Sequence, residues 1–215
     1  MCQPFPMPNR GRPPLLSDEV ILEAAFAAFA ANGYAAMSVR ALNADLGLSH
    51  ETITKRFGPK IDLYRAAVSY GVGLLVADFD RVLNETNPVD DLARLRGTVR
   101  AFMIAASNHP TMGELLHHEG IDGSERTLLI EQSGLDERIA EAVSLINRLN
   151  AAGSIRETKI REFWFLCQAA VAPLRSPALA KMFDPFDGPV NPDELISRMT
   201  DAILRSMGVD DTAVR

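Results

Sequence analysis

The sequence has only two cysteines, one tryptophan and three tyrosines in 215 residues. Cys2 falls in a proline-rich start and Cys167 in an apolar helical stretch, so no disulfide framework is expected and a reducing cytoplasm is the expected location. No apolar run reaches the roughly 18–20 residues of a membrane span. Met1–Pro14 contains no apolar h-region of about 7–15 residues, so no secretory leader is expected. Strand alternation, internal repeats and heptad arrays are missing, which leaves helices as the only regular element. Enzyme signatures are missing too: no G-x-S-x-G, no glycine-rich phosphate loop and no nucleophile–base set. Glu114 and His117 have E-x-x-H spacing, but no second ligand pair accompanies them, so neither metal nor cofactor is expected.

Net positive charge is also lacking, at −6 for the chain. Its distribution is uneven. Residues 1–70 hold seven Lys/Arg against six acids, whereas the remainder is strongly acidic. Indiscriminate nucleic-acid binding is excluded, yet a local DNA-facing surface is allowed at the N-terminal end.

What is present there has a definite order. Five prolines between Pro4 and Pro14 forbid a continuous helix, and Arg10-Gly11-Arg12-Pro13 lies among them. Extended, this segment can lay two guanidinium groups along a narrow minor groove; a solvated tail is the plain alternative. Ser17 then reads as an N-cap, followed by Ile21, Ala25, Phe26 and Phe29 at helical spacing and by the stop Asn32-Gly33. Ser38 caps a second helix with Val39, Leu42 and Leu46 inward, ended by Gly47. Ser49 is expected to cap a third helix that carries His50 to Arg56, with Ile53 and Phe57 inward and the polar residues outward. Gly58-Pro59 breaks it, and Lys60 opens the next helix.

The landmarks Gly33-Tyr34, Ser38-Val39-Arg40, Gly47-Leu48-Ser49, Ile53, Phe57 and Lys60 resemble the DNA-binding domain of TetR-family transcriptional regulators. The resemblance spans about residues 10–70 without gaps. Asn43 and Leu46 depart from it, standing where small residues are usual, and Thr54 replaces a tyrosine that commonly touches phosphate. After residue 70 the likeness is looser, carried by His109-Pro110, Ala152–Arg156 and the MFDPF loop.

The resemblance implies an all-α protein: a basic arm (1–16), a three-helix helix-turn-helix domain (17–63) and a larger helical domain for effector binding and dimerisation (64–215). It implies a regulator, most simply a repressor, that binds palindromic double-stranded operator DNA as a homodimer and answers to an apolar or amphipathic small molecule. Arg10 and Arg12 would enter the minor groove, and Ser38, Lys55 and Lys60 would hold phosphates. Ser49, His50, Glu51, Thr52 and Arg56 would serve base edges or nearby phosphates. Phe102, Met103, Leu116, His117, Trp164 and Cys167 are the expected effector contacts. Phe163, Leu166, Ala170, Leu195, Met199 and Ile203 are the expected dimer surface. A helical ligand-binding protein whose head has lost DNA is the competing reading.

Overall fold

The computed structural model describes residues 16–117 and 134–209, and among them every regular element is helical. None of these helices is long and apolar enough to cross a membrane. Helix α1 (Asp18–Ala36) opens where Ser17 Oγ accepts the Val20 N–H at 3.4 Å, with Asp18 and Glu19 complementing the helix dipole. Ile21, Ala25, Phe26, Phe29 and Ala30 form its buried stripe. The chain leaves helical geometry at Gly33 (φ 73°, ψ 164°), at the expected stop, and adds one further turn.

Helices α2 (Val39–Asp45) and α3 (Thr52–Phe57) follow, then the long α4 (Lys60–Glu85). Ile53, Leu42, Phe29, Leu63 and Tyr64 close the core of this head. Phe29 meets Tyr64 edge-on with ring centres 4.9 Å apart, and Tyr34 meets Tyr64 at 5.3 Å. Such edge-to-face pairs add to the burial energy of the rings.

Helix α5 (Asp91–Asn108), capped by Asp90 on the Ala93 N–H at 2.7 Å, runs through the middle of the molecule. It packs against α4, α6 (Pro110–His117), α7 (Leu135–Ala151), α8 (Ile160–Arg175) and α11 (Pro192–Ser206). Between α8 and α11 lie the short α9 (Pro177–Ala180), a 3-10 turn (Lys181–Phe183) and α10 (Asp184–Asp187). Asn191 starts α11 by accepting the N–H groups of Asp193 and Glu194. A second core joins Leu95, Val99 and Met103 to Leu145, Leu149, Phe163, Cys167, Ile203 and Leu204.

Two helices serve both halves. The head's core continues along α4 to Val72 and takes in Met112 and Leu115 from α6, so the chain does not divide cleanly after residue 63.

The expected dimer surface divides by burial, and half of it needs correction. Phe163, Ala170 and Ile203 are buried in the protomer's own core, while Leu166, Leu195 and Met199 are half-buried. On a helix of 3.6 residues per turn, positions 163, 167 and 170 share one face, and α5 and α11 claim it. Among the described residues, the exposed large apolar side chains include Phe165, Leu179, Met182, Phe183 and Phe186.

Candidate nucleic-acid interface and effector cavity

The turn between α2 and α3 is organised by Asn43, which has no exposed surface. Its amide nitrogen donates to the carbonyls of Val39 (3.0 Å) and His50 (3.2 Å), and its oxygen accepts the Ile53 N–H at 3.3 Å. A buried amide must be satisfied, and here the satisfying partners are the two helices themselves. Gly47, with φ +66°, makes the reversal.

Ser49 therefore does not cap α3 as expected. Its hydroxyl instead lies 2.7 Å from the Thr52 hydroxyl, and α3 starts at Thr52, leaving His50 and Glu51 in the preceding turn. Ser38, Arg40, Ser49, His50, Glu51, Thr54 and Lys55 are exposed, with Thr52 partly so. Ser38 Oγ accepts the Ala41 N–H at 3.3 Å, so its own proton stays available to an outside acceptor.

The charged groups divide by partner. Lys55 pairs with Glu51 at 2.7 Å, and that hydrogen bond holds the Glu51 carboxyl below its ordinary range. Both side chains are exposed, so the pair is readily exchanged for an outside phosphate. Lys60 Nζ donates to the Ala35 carbonyl at 3.2 Å and stands 4.8 Å over the Tyr34 ring, which sets it at the end of α1.

Arg56 is placed differently from expectation. Its guanidinium donates to the Leu16 carbonyl at 2.6 Å and pairs with Asp18 at 2.5 Å, tying α3 to the start of α1. Its described partners thus lie at the start of α1. Arg10 and Arg12 lie outside the described residues.

Arg40 escaped the sequence reading. It makes no ion pair among the described residues and sits two positions beyond the Ser38 cap, a spacing visible in Ser38-Val39-Arg40.

A cavity of about 320 Å³ lies among α4, α5, α6, α7 and α8. Leu75, Phe79, Phe102, Ile139, Trp164 and Cys167 supply apolar wall, with Val72 and Met112 at the side toward the head. Phe102 and Trp164 rings meet at 5.4 Å and 64°. Phe102, Trp164 and Cys167 thus face the space expected of them. Met103 does not: it is fully buried toward α11, with Sδ 4.0 Å from Thr200 Oγ1. Neighbouring helix positions point about 100° apart, so Phe102 and Met103 cannot share a wall. The side chains of Leu116 and His117 lie outside the described residues, as does any Glu114–His117 pairing.

Burial pushes the Cys167 thiol up to about 12, leaving it a packing group rather than a nucleophile. Polar groups missed by sequence reasoning also line the cavity: His109, Arg138, Gln168 and Arg175. Trp164, Gln168 and Arg175 follow at four and seven residues along α8, a one-face pattern that could have exposed the last two.

Residues 21–67 match the family description "Bacterial regulatory proteins, tetR family". No curated protein matches the chain in sequence. Among solved structures, the TetR-family regulator PfmR from Thermus thermophilus is similar at 21% identity and TM-score 0.60, over 88% of this chain and 96% of that one. AibR, solved in complex with isovaleryl coenzyme A and operator DNA, is similar at 19% identity and TM-score 0.65 (86% and 96%). The ketosteroid transcriptional regulator KstR2 of Mycobacterium tuberculosis is similar at 17% identity and TM-score 0.62 (89% and 95%). At these identities the structural likeness shows the fold alone, while the family match is confined to residues 21–67.

Proposed function

We propose that this chain, a DNA-binding regulator of the tetR family by its N-terminal domain, is a dimeric repressor released from a palindromic operator by a small effector. One observation carries the effector response. Val72 of α4 and Met112 of α6 belong both to the cavity wall and to the core of the DNA-binding head. A molecule that fills the cavity displaces side chains on which the head is seated. AibR, of the same fold, has been captured with an acyl coenzyme A and with operator DNA, which supports a coupling of this kind here.

On DNA, the exposed Ser49 and His50 and the half-exposed Thr52 face the major groove, while Ser38, Arg40, Lys55 and Lys60 hold phosphates. Glu51 gives up Lys55 to a phosphate and is left to accept from a cytosine amine. Arg56 braces α3 against α1, and Arg10 and Arg12 extend into the adjacent minor groove. The second protomer docks on the exposed apolar side chains around Phe165, Met182, Phe183 and Phe186. A two-fold dimer must hold its reading heads roughly 34–36 Å apart, or a multiple of that, to meet successive grooves. An effector that favours a different separation releases DNA to the extent of its differential affinity for the two states.

Selection of bound sequences from a random DNA pool tests this reading. A palindrome with half-sites one or more helical turns apart is expected. Absence of enrichment over bulk DNA would instead favour a ligand-binding protein with an inactive head.

A further inference from the structure

Part of the cavity's polar lining lies where α8 turns toward α6. There Pro173 lacks the N–H that would complete the helical ladder, and the Arg175 side chain reaches back to donate to the Gln168 carbonyl at 3.1 Å. Its guanidinium lies so close to α6 that a β-carbon on Gly113 would stand 2.5 Å from Nη1. Burial destabilises this cation and lowers its pKa. Among the described residues no carboxylate pairs with Arg175. The Gln168 side-chain oxygen is buried and likewise without a partner.

The other charged lining groups have carboxylate neighbours or are exposed. Arg138 pairs with Glu141 at 2.8 Å and stands 3.5 Å from Asp80, its buried Nε making no hydrogen bond among the described residues. His109 stands 3.7 Å from Asp78, and Arg161 is exposed. Among the described residues the half-buried guanidinium has only a backbone carbonyl as partner, so it keeps donors for an occupant, and the unpartnered Gln168 amide can present its oxygen or, once turned, its nitrogen.

We infer that the cavity takes an amphipathic monoanion, an apolar body ending in a carboxylate, with the carboxylate held by Arg175 and Gln168. This inference rests on the effector-responsive reading above and supplies its ligand class. The Arg175 fork matches one or both carboxylate oxygens. The Gln168 amide, free of hydrogen bonds among the described residues, turns its nitrogen inward to serve the other. The apolar wall covers the body. At about 30 Å³ per water-sized group, the volume suits roughly ten non-hydrogen atoms, so straight-chain acids of about six to ten carbons are suitable probes.

Trp164 lines the cavity and is the chain's single tryptophan, so its emission reports occupancy without DNA. Octanoate, octanol and octylammonium are titrated into the full-length protein. Octanoate is expected to bind at least about tenfold more tightly than octanol, and octylammonium more weakly than either. Arg175→Met should abolish that preference while retaining octanol binding, and Gln168→Leu should reduce it. Arg161→Met should leave it intact. Equal affinity for acid and alcohol, no emission change with any probe, or loss of preference in Arg161→Met instead of Arg175→Met would overturn the assignment. A parallel titration on selected operator DNA separates the two readings. Octanoate binding that leaves DNA affinity unchanged keeps the anion site and removes the effector response.

Discussion

The side-chain oxygen of Asn43 accepts the backbone N–H of Ile53 at 3.3 Å, joining the middle of α2 to the start of α3. The same amide holds the Val39 and His50 carbonyls, so one buried side chain replaces the missing cap of the reading helix. Asn43→Ala removes the donor and acceptor but leaves Ile53 N–H and His50 C=O behind. A loss of about 1–3 kcal/mol in urea unfolding is expected, with faster hydrogen exchange at the Ile53 amide. Unchanged exchange there would show that the bond does not hold α3.

Gly71 and Gly73 lie two residues apart on α4 and predict opposite outcomes. A β-carbon on Gly71 would stand 2.6 Å from Phe26 Cζ, whereas one on Gly73 meets nothing within 4 Å. Gly71→Ala must therefore displace the Phe26 ring and is expected to cost about 1–3 kcal/mol. Gly73→Ala should stabilise the helix by about 0.5–1 kcal/mol through lower chain entropy in the unfolded state. Thermal melts of both variants check the pair, and a neutral Gly71→Ala would mean that the Phe26 ring yields without penalty.

Lys60 is held at the end of α1 by the Ala35 carbonyl and the Tyr34 ring. Its removal should weaken binding to every DNA sequence alike. The slope of log affinity against log salt should fall in size by about 0.9, the contribution of one phosphate contact. His50→Ala should behave differently, changing the preference among operator variants. An unaltered salt slope in Lys60→Ala would place this amine off the DNA.

Cys167 should be nearly silent to thiol reagents. With its pKa raised by burial to about 12, only about one part in ten thousand is thiolate at pH 8. In a Cys2→Ser variant, labelling of the folded protein is expected to be more than about a thousandfold slower than in denaturant. The reaction should quicken as pH rises, since the charged form is what burial disfavours. Labelling at the unfolded rate would show that this wall of the cavity opens freely.

Much of the head was legible because its positions follow local rules. Ser17 and Ser38 cap their helices through their own side chains, and Gly33 and Gly47 adopt the positive φ that their stops required. Ser49 misleads because a cap-like residue before a helix carries the same letters whether or not its hydroxyl is used. The competing acceptor comes from Asn43, ten residues before Ile53. In sequence Asn43 reads as a departure from the family's pattern; in the fold it belongs to the architecture.

In the larger domain, periodicity located the helices but could not say which apolar face meets its own chain. Phe163 and Phe165 look equivalent in sequence; one is buried and the other 65% exposed. The choice depends on where α5 and α11 pack. Arg56 presents the same problem in charge: its partners Leu16 and Asp18 lie about forty residues earlier.

By itself, then, the sequence determined the helices, their caps and stops, and the order of a DNA-reading head, because these depend on residues within a turn or two. Only the tertiary structure decided that Asn43 would staple α3 and that Arg56 would brace α1. It alone set the Gln168 and Arg175 face of α8 against a cavity. Burial and partnership are set by packing between distant segments, and those relations have no local signature.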